Sequence, residues 1–176
     1  MCRDGRRSGD GRQRHARAEY NIWVDPEAAR MVFHSALPLE MVGWQTSRYP
    51  AILTPEEIAG VYNMGTPLAK FAMDCNRRAR EATEEQSGEV GLGLPDPVAM
   101  AVALDPTICT RRSDHYVEIE TESDLTRGMT VVDVLGVAED ERNSPLWRQA
   151  IHAGRKTICW EIDAPRWKGL LVELLG

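Results

Sequence analysis

Glu19 and Asn21, Asp25 ahead of Pro26, and Asp96 ahead of Pro97 are the residues whose types and spacing could do chemistry. Glu19 and Asn21 stand two apart, so on an extended segment their side chains point the same way. A carboxylate beside an amide can grip a vicinal diol, one accepting and the other both donating and accepting. Asp96 precedes a proline suited to the first helical position, where a missing N–H costs nothing. A carboxylate at such a helix mouth can cap with one oxygen and face a cleft with the other. Plainer roles fit the same residues. Asp-Pro occurs at 25–26, 96–97 and 105–106, and an Asp before Pro commonly serves as a cap or a turn.

Longer runs around these residues carry a resemblance. A-E-Y-N-I-W-V-D-P-E-A-A (18–29) and L-P-D-P-V-A-M-A-V-A-L-D-P (94–106) are similar to two signatures of the inosine/uridine-preferring nucleoside hydrolases. Leu39–Gly43, Gly65–Leu68, Thr126–Asp133 and Ile158–Leu175 resemble the same family in the same order. The resemblance covers residues 18–176. It implies the C-terminal portion of an α/β fold, an open, mostly parallel Rossmann-like sheet with flanking helices and a small antiparallel element. It also implies cleavage of the N-glycosidic bond of nucleosides to base and ribose, calcium as cofactor, a role in nucleoside salvage and a homo-oligomer.

Roles carry over position by position. The family's glutamate and asparagine hold ribose hydroxyls, which maps to Glu19 and Asn21. Its Asp-Pro aspartate ligates calcium, which maps to Asp96. Arg77, Arg80 and Glu84 fall where the family carries a mobile lid over the base. Two departures matter. Many members place a histidine before the metal aspartate, where this chain has Pro95, which has no proton to give. The family's D-x-D-x-x-x-D-D loop, source of most metal ligands and of the water-activating base, occurs nowhere in these 176 residues. Calcium takes six to eight oxygens, so Asp96 alone leaves the site incomplete. Family members are about twice this length, and the chain reads as the C-terminal half of such an enzyme, inactive by itself. A non-catalytic protein that keeps part of the fold and binds a partner is the alternative.

Residues 1–17 differ in character. Six arginines against two aspartates give this segment a charge of +4, while the remainder holds 15 basic and 25 acidic residues. So little apolar surface predicts a segment that does not fold alone, and a basic arm is one reading. Another is a shifted reading frame. Arg12–Arg17 can be encoded as CGG CAA CGT CAC GCC CGC, which read one base later gives Gly-Asn-Val-Thr-Pro. The family carries a run of that type directly before A-E-Y-N.

Composition bounds the rest. At 176 residues and 43% hydrophobic, the chain suits one globular domain, and no apolar run approaches a membrane span. Met1–Arg17 has no apolar stretch of the secretory type. The acidic body disfavours nucleic acid. Cys2, Cys75, Cys109 and Cys159 lack the C-x-x-C spacing of zinc sites, which suggests reduced thiols and a cytoplasmic protein. The four histidines show no metal spacing, and there is no G-x-S-x-G, Walker A or G-x-G-x-x-G run.

The elements that position these residues follow from caps and periodicity. Asp25 predicts a helix over 26–36, and Thr54-Pro55-Glu56-Glu57 is a capping box opening a helix to about Asn63. A second opens at Thr66-Pro67 and runs through the charged turns to 85. Residues 87–93, with three glycines, read as a loop. A helix is expected over 97–104 and another over 165–174. Strands are expected over 39–44, 115–121, 129–135 and 156–162. Strands alternating with helices favour an α/β sheet.

Overall fold

The computed structural model describes residues 18–176 except Glu89. The arginine-rich segment 1–17, with its proposed frame shift, therefore lies outside the described residues. The described residues divide into two compact units, one of Pro38–His115 with Lys156–Gly176, the other of residues 18–37 with Tyr116–Arg155.

The first of these units is built on a three-stranded sheet. Central β5 (Lys156–Ile162) pairs in parallel with β1 (Glu40–Val42) and antiparallel with β2 (Cys109–His115), so the sheet is mixed. Helices α3 (Pro55–Asn63), α4 (Pro67–Cys75), α5 (Arg77–Ser87), α6 (Pro95–Leu104) and α8 (Ala164–Leu175) complete it. The caps explain why these helices begin where they do. Thr54 Oγ1 accepts the Glu57 amide at 3.2 Å and Glu57 Oε2 accepts the Thr54 amide at 2.8 Å, the expected capping box. Thr66 and Asp163 cap α4 and α8, each with proline in the first turn. The core gathers Leu53, Ile58, Val61, Met73, Val98, Val102, Ile108 and Trp167. Trp167 is 2% exposed, and its indole N–H donates to the Ala51 carbonyl at 3.2 Å. Gly91 has φ 123°, and a Cβ there would meet Ile52 Cγ2 at 2.5 Å, which lets Leu92 bridge to Leu53.

The other unit contains α1 (Tyr20–Val24), α2 (Pro26–Phe33), α7 (Ser144–Ala153) and the antiparallel pair β3 (Val117–Ile119) and β4 (Thr130–Val132). Asp25 Oδ1 accepts the Ala28 amide at 2.9 Å, as expected of a cap. Buried Asp133 accepts the amides of Val137 and Ala138 at 2.9 and 2.8 Å, fixing the loop after β4.

Several expectations are corrected. The 26–36 helix stops at Phe33, where the His34 amide closes the last turn on Arg30. The helix expected over 66–85 is two helices, broken at Asn76, whose side-chain amide turns back to the Ala72 carbonyl at 2.9 Å. Strand 39–44 shortens to Glu40–Val42, with a 3-10 turn over Trp44–Ser47. The 115–121 and 129–135 strands contract to β3 and β4, and β2 lies where no strand was expected.

Candidate functional site

Glu19 and Asn21 do not lie side by side on an extended segment. Glu19 is the N-cap of α1 and Asn21 sits in its first turn. Glu19 Oε2 accepts the backbone amides of Asn21 at 2.9 Å and Ile22 at 3.3 Å. A glutamate just ahead of a helix satisfies amides that otherwise have no partner, and that outweighs extended geometry. One carboxylate oxygen is spent on the helix, while Oε1 and the Asn21 carboxamide have no partner among the described residues. Gly128 holds α1 from below with φ 81°, and a Cβ there would approach Trp23 Cα to 3.0 Å and Ala18 Cβ to 3.1 Å. The neighbouring Arg127 anchors α2 through both oxygens of Glu27 at 2.7 Å, and this hydrogen bond holds the Glu27 carboxyl below its ordinary value.

Asp96 is also placed differently from the expectation. Leu94 is the N-cap of α6, Pro95 takes the first helical position, and Asp96 is exposed within the first turn without capping it. The helix starts a step early because two prolines, at 95 and 97, fill positions whose amides need no partner. The Leu94 carbonyl then accepts the Val98 amide at 3.0 Å. The Asp96 carboxylate is left with no hydrogen-bond or ion-pair partner among the described residues.

Arg77 and Arg80 line a cleft of about 320 Å³ between α3, α4 and α5, together with Ile58, Tyr62, Asn63 and Asp74. This gives one apolar wall and several donors, a chemistry that suits a flat heterocycle. Glu84 lies further along α5 and Asp96 in α6, and neither lines this cleft. Tyr62, Asn63 and Asp74 were not singled out by sequence, since only the packing of three helices brings them together.

Metal-holding capacity is divided unexpectedly. Among the described residues, the group of three donors close enough to share one ion is Glu40, Cys109 and Cys159, which does not include Asp96. Calcium takes six to eight oxygens, often from several carboxylates. Asp96 can fill one place in such a shell, and the described residues do not complete it.

Known proteins resemble this chain in sequence and in fold. Residues 7–166 match the family described as inosine-uridine preferring nucleoside hydrolase. The pyrimidine-specific ribonucleoside hydrolase RihA of Shewanella sp. (strain ANA-3) is 39% identical over 166 residues, covering 90% of this chain and 46% of that protein. RihA of Klebsiella pneumoniae subsp. pneumoniae is 35% identical over 130 residues, covering 73% and 41%. Among solved structures, a purine-preferring ribonucleoside hydrolase from Gardnerella vaginalis superimposes with a TM-score of 0.67 at 27% identity, over 90% of this chain and 46% of that one. The plant nucleoside hydrolase PpNRh1 shares the fold with a TM-score of 0.78 at 21% identity, over 90% and 48%. The chain thus spans about half the length of the curated relatives it matches. It belongs to the inosine-uridine preferring nucleoside hydrolase family.

Proposed function

We propose that this chain carries the ribose-holding side chains and one metal ligand of a ribonucleoside hydrolase, which cleaves the N-glycosidic bond to free base and ribose. The observation that supports this best is the divided carboxylate of Glu19. Its Oε2 is pinned by two helix amides, which fixes the group's orientation, while Oε1 and the Asn21 amide remain for a pair of hydroxyls. Such a grip positions a sugar before its oxocarbenium-like transition state, and pre-paid positioning is a large part of catalysis.

Calcium is the proposed cofactor, by family, with Asp96 as a ligand. When bound it would polarise a water and the ribose diol. The rest of its shell and the carboxylate that activates water come from outside the described residues. Alone, the chain is therefore catalytically silent. Pro95, first residue of α6, has no proton for the departing base. Arg77 and Arg80 sit on the base side, with Glu84 on the lid. The names of the curated relatives favour a pyrimidine ribonucleoside. A cytoplasmic homo-oligomer is part of the same reading. Among the described residues no helix is long and apolar enough to cross a membrane.

The test is an assay of the purified chain with uridine, cytidine and inosine in millimolar calcium, reading ribose release. No release is expected. Turnover that disappears in Asp96→Ala would contradict an incomplete site. Turnover that survives that substitution would remove Asp96 from the account.

A further inference from the structure

Cys109, Cys159 and Glu40 lie on the three different strands of one sheet, and their donor atoms all fall within 4.8 Å of one another. A zinc ion binds thiolates at ~2.3 Å and carboxylate oxygens at ~2.0–2.2 Å, so donors around one ion stand no more than about 4.6 Å apart. The cluster is already close to that size. We propose that Glu40, Cys109 and Cys159 bind a borderline-soft divalent cation of the zinc class, with a fourth position open beside Glu40.

The register of the sheet builds this triangle. Val42 pairs with Cys159, so Glu40, two residues earlier on β1, shares its face with Val42. On the other side Arg112 pairs with Cys159. Cys109 is three residues before Arg112, which in a regular strand would put them on opposite faces. Register irregularities between Cys109 and Arg111 and between Arg111 and Arg112 interrupt that regular alternation. Both thiols are buried; Cys109 donates to the Arg111 carbonyl at 3.4 Å and Cys159 to the Glu161 carbonyl at 3.7 Å. Two buried sulfurs with weak partners and a half-exposed carboxylate leave one open side for an ion to enter.

Charge also balances. Two thiolates and one carboxylate around a divalent ion leave a net charge of −1, with two thiol protons released to solvent. Arg112 supplies the compensating +1. It donates to Glu40 Oε1 at 3.3 Å and to the Pro106 carbonyl at 2.9 Å. Glu40 keeps its other oxygen for the ion while Arg112 orients the group, as hydrogen bonds to metal-binding carboxylates do elsewhere. Thiolate donors exclude calcium, which takes oxygen, so this site is chemically separate from Asp96.

Cobalt(II) titration of the full chain in a Cys2→Ser, Cys75→Ser background reads this directly. One ion per chain, with intense thiolate-to-cobalt absorption and tetrahedral visible bands displaced by zinc and not by calcium, is the expected result. Cys109→Ser and Cys159→Ser should each abolish the intense band. Glu40→Gln, at a partly exposed position, should keep the fold and weaken cobalt binding tenfold or more. Absence of the intense band in the folded background protein would overturn the proposal. So would a band that persists in Cys159→Ser, or unchanged affinity in Glu40→Gln, which decides the matter should the cysteine variants fail to fold.

Discussion

Glu19 Oε2 accepts the Asn21 amide at 2.9 Å, so the two residues assigned to the ribose are joined through the backbone of α1. Capping and substrate grip can therefore be separated. Glu19→Gln keeps an acceptor oxygen and should leave the urea midpoint of unfolding nearly unchanged. Glu19→Ala loses the cap and should cost about 1 kcal/mol. In a complete enzyme both should lower kcat/KM. Equal destabilisation by Gln and Ala would mean that the charge, and not the hydrogen bond, holds α1.

Gly128 sets where α1 lies. Its φ of 81° and the 3.0 Å approach to Trp23 Cα leave no room for a side chain. Gly128→Ala should destabilise by roughly 1–3 kcal/mol, combining left-handed strain with the clash. Circular dichroism through thermal unfolding checks this, and an unchanged midpoint would show that α1 shifts freely.

Lys168 of α8 lies 3.0 and 2.8 Å from the two carboxylate oxygens of Glu57 at the start of α3. Burial pushes the Glu57 carboxyl up, but the Lys168 hydrogen bond, the Thr54 amide and the lysine charge together hold it below its ordinary 4.5. A depressed carboxyl stabilises the fold above that ordinary value and loses its contribution as pH falls through the lower folded value. Glu57 is 40% exposed in its side chain, so solvent screening limits the pair to about 0.5–1 kcal/mol. Lys168→Met should be less stable than the parent at pH 7 by that amount, with the gap closing by pH 3. A gap independent of pH would mean that only the lysine stem matters.

Much of the fold was legible because local chemistry dictated it. Thr54 with Glu57, Asp25 before Pro26, and the Ile158-Cys159-Trp160 stretch within 156–162 act within a few residues of themselves. By contrast β2 (C-T-R-R-S-D-H) is exposed along most of its length, so no alternation announces it, and only pairing with β5 makes it a strand. Asp96 was misplaced by one helical step because Pro95 and Pro97 both satisfy the first-turn rule. Asn76, polar inside a helical pattern, broke a helix that periodicity joined. Glu19, Asn21 and Asp96 are singled out by their motifs as candidates, whereas the cleft of Tyr62, Asp74, Arg77 and Arg80 needed three helices. The thiol pair was least legible, since Cys109 and Cys159 meet only across the sheet.

Thiol reactivity follows the same geometry. Cys75 is exposed, while Cys159 is buried and its thiol is pushed up to about 12, first by burial and then by Cys109 and the Glu40 charge. In a Cys2→Ser variant at pH 8, iodoacetamide should label Cys75 rapidly and Cys159 only after unfolding, since the thiolate is the nucleophile. Peptide mapping that finds Cys159 labelled as fast as Cys75 would contradict its burial.

The roles proposed for Asp96, as a metal ligand, and for Glu19 and Asn21, as the ribose grip, need further carboxylates to give turnover. Joining residues 18–176 to the aspartate-rich N-terminal part of a family member, and measuring ribose release from uridine with calcium, tests this most directly. A folded fusion should turn over, with kcat/KM falling by at least a hundredfold in Asp96→Ala and in Glu19→Gln, equivalent to about 2.7 kcal/mol or more of lost transition-state stabilisation. Turnover that is indifferent to Asp96 and Glu19, or a well-folded fusion with none, would contradict the account.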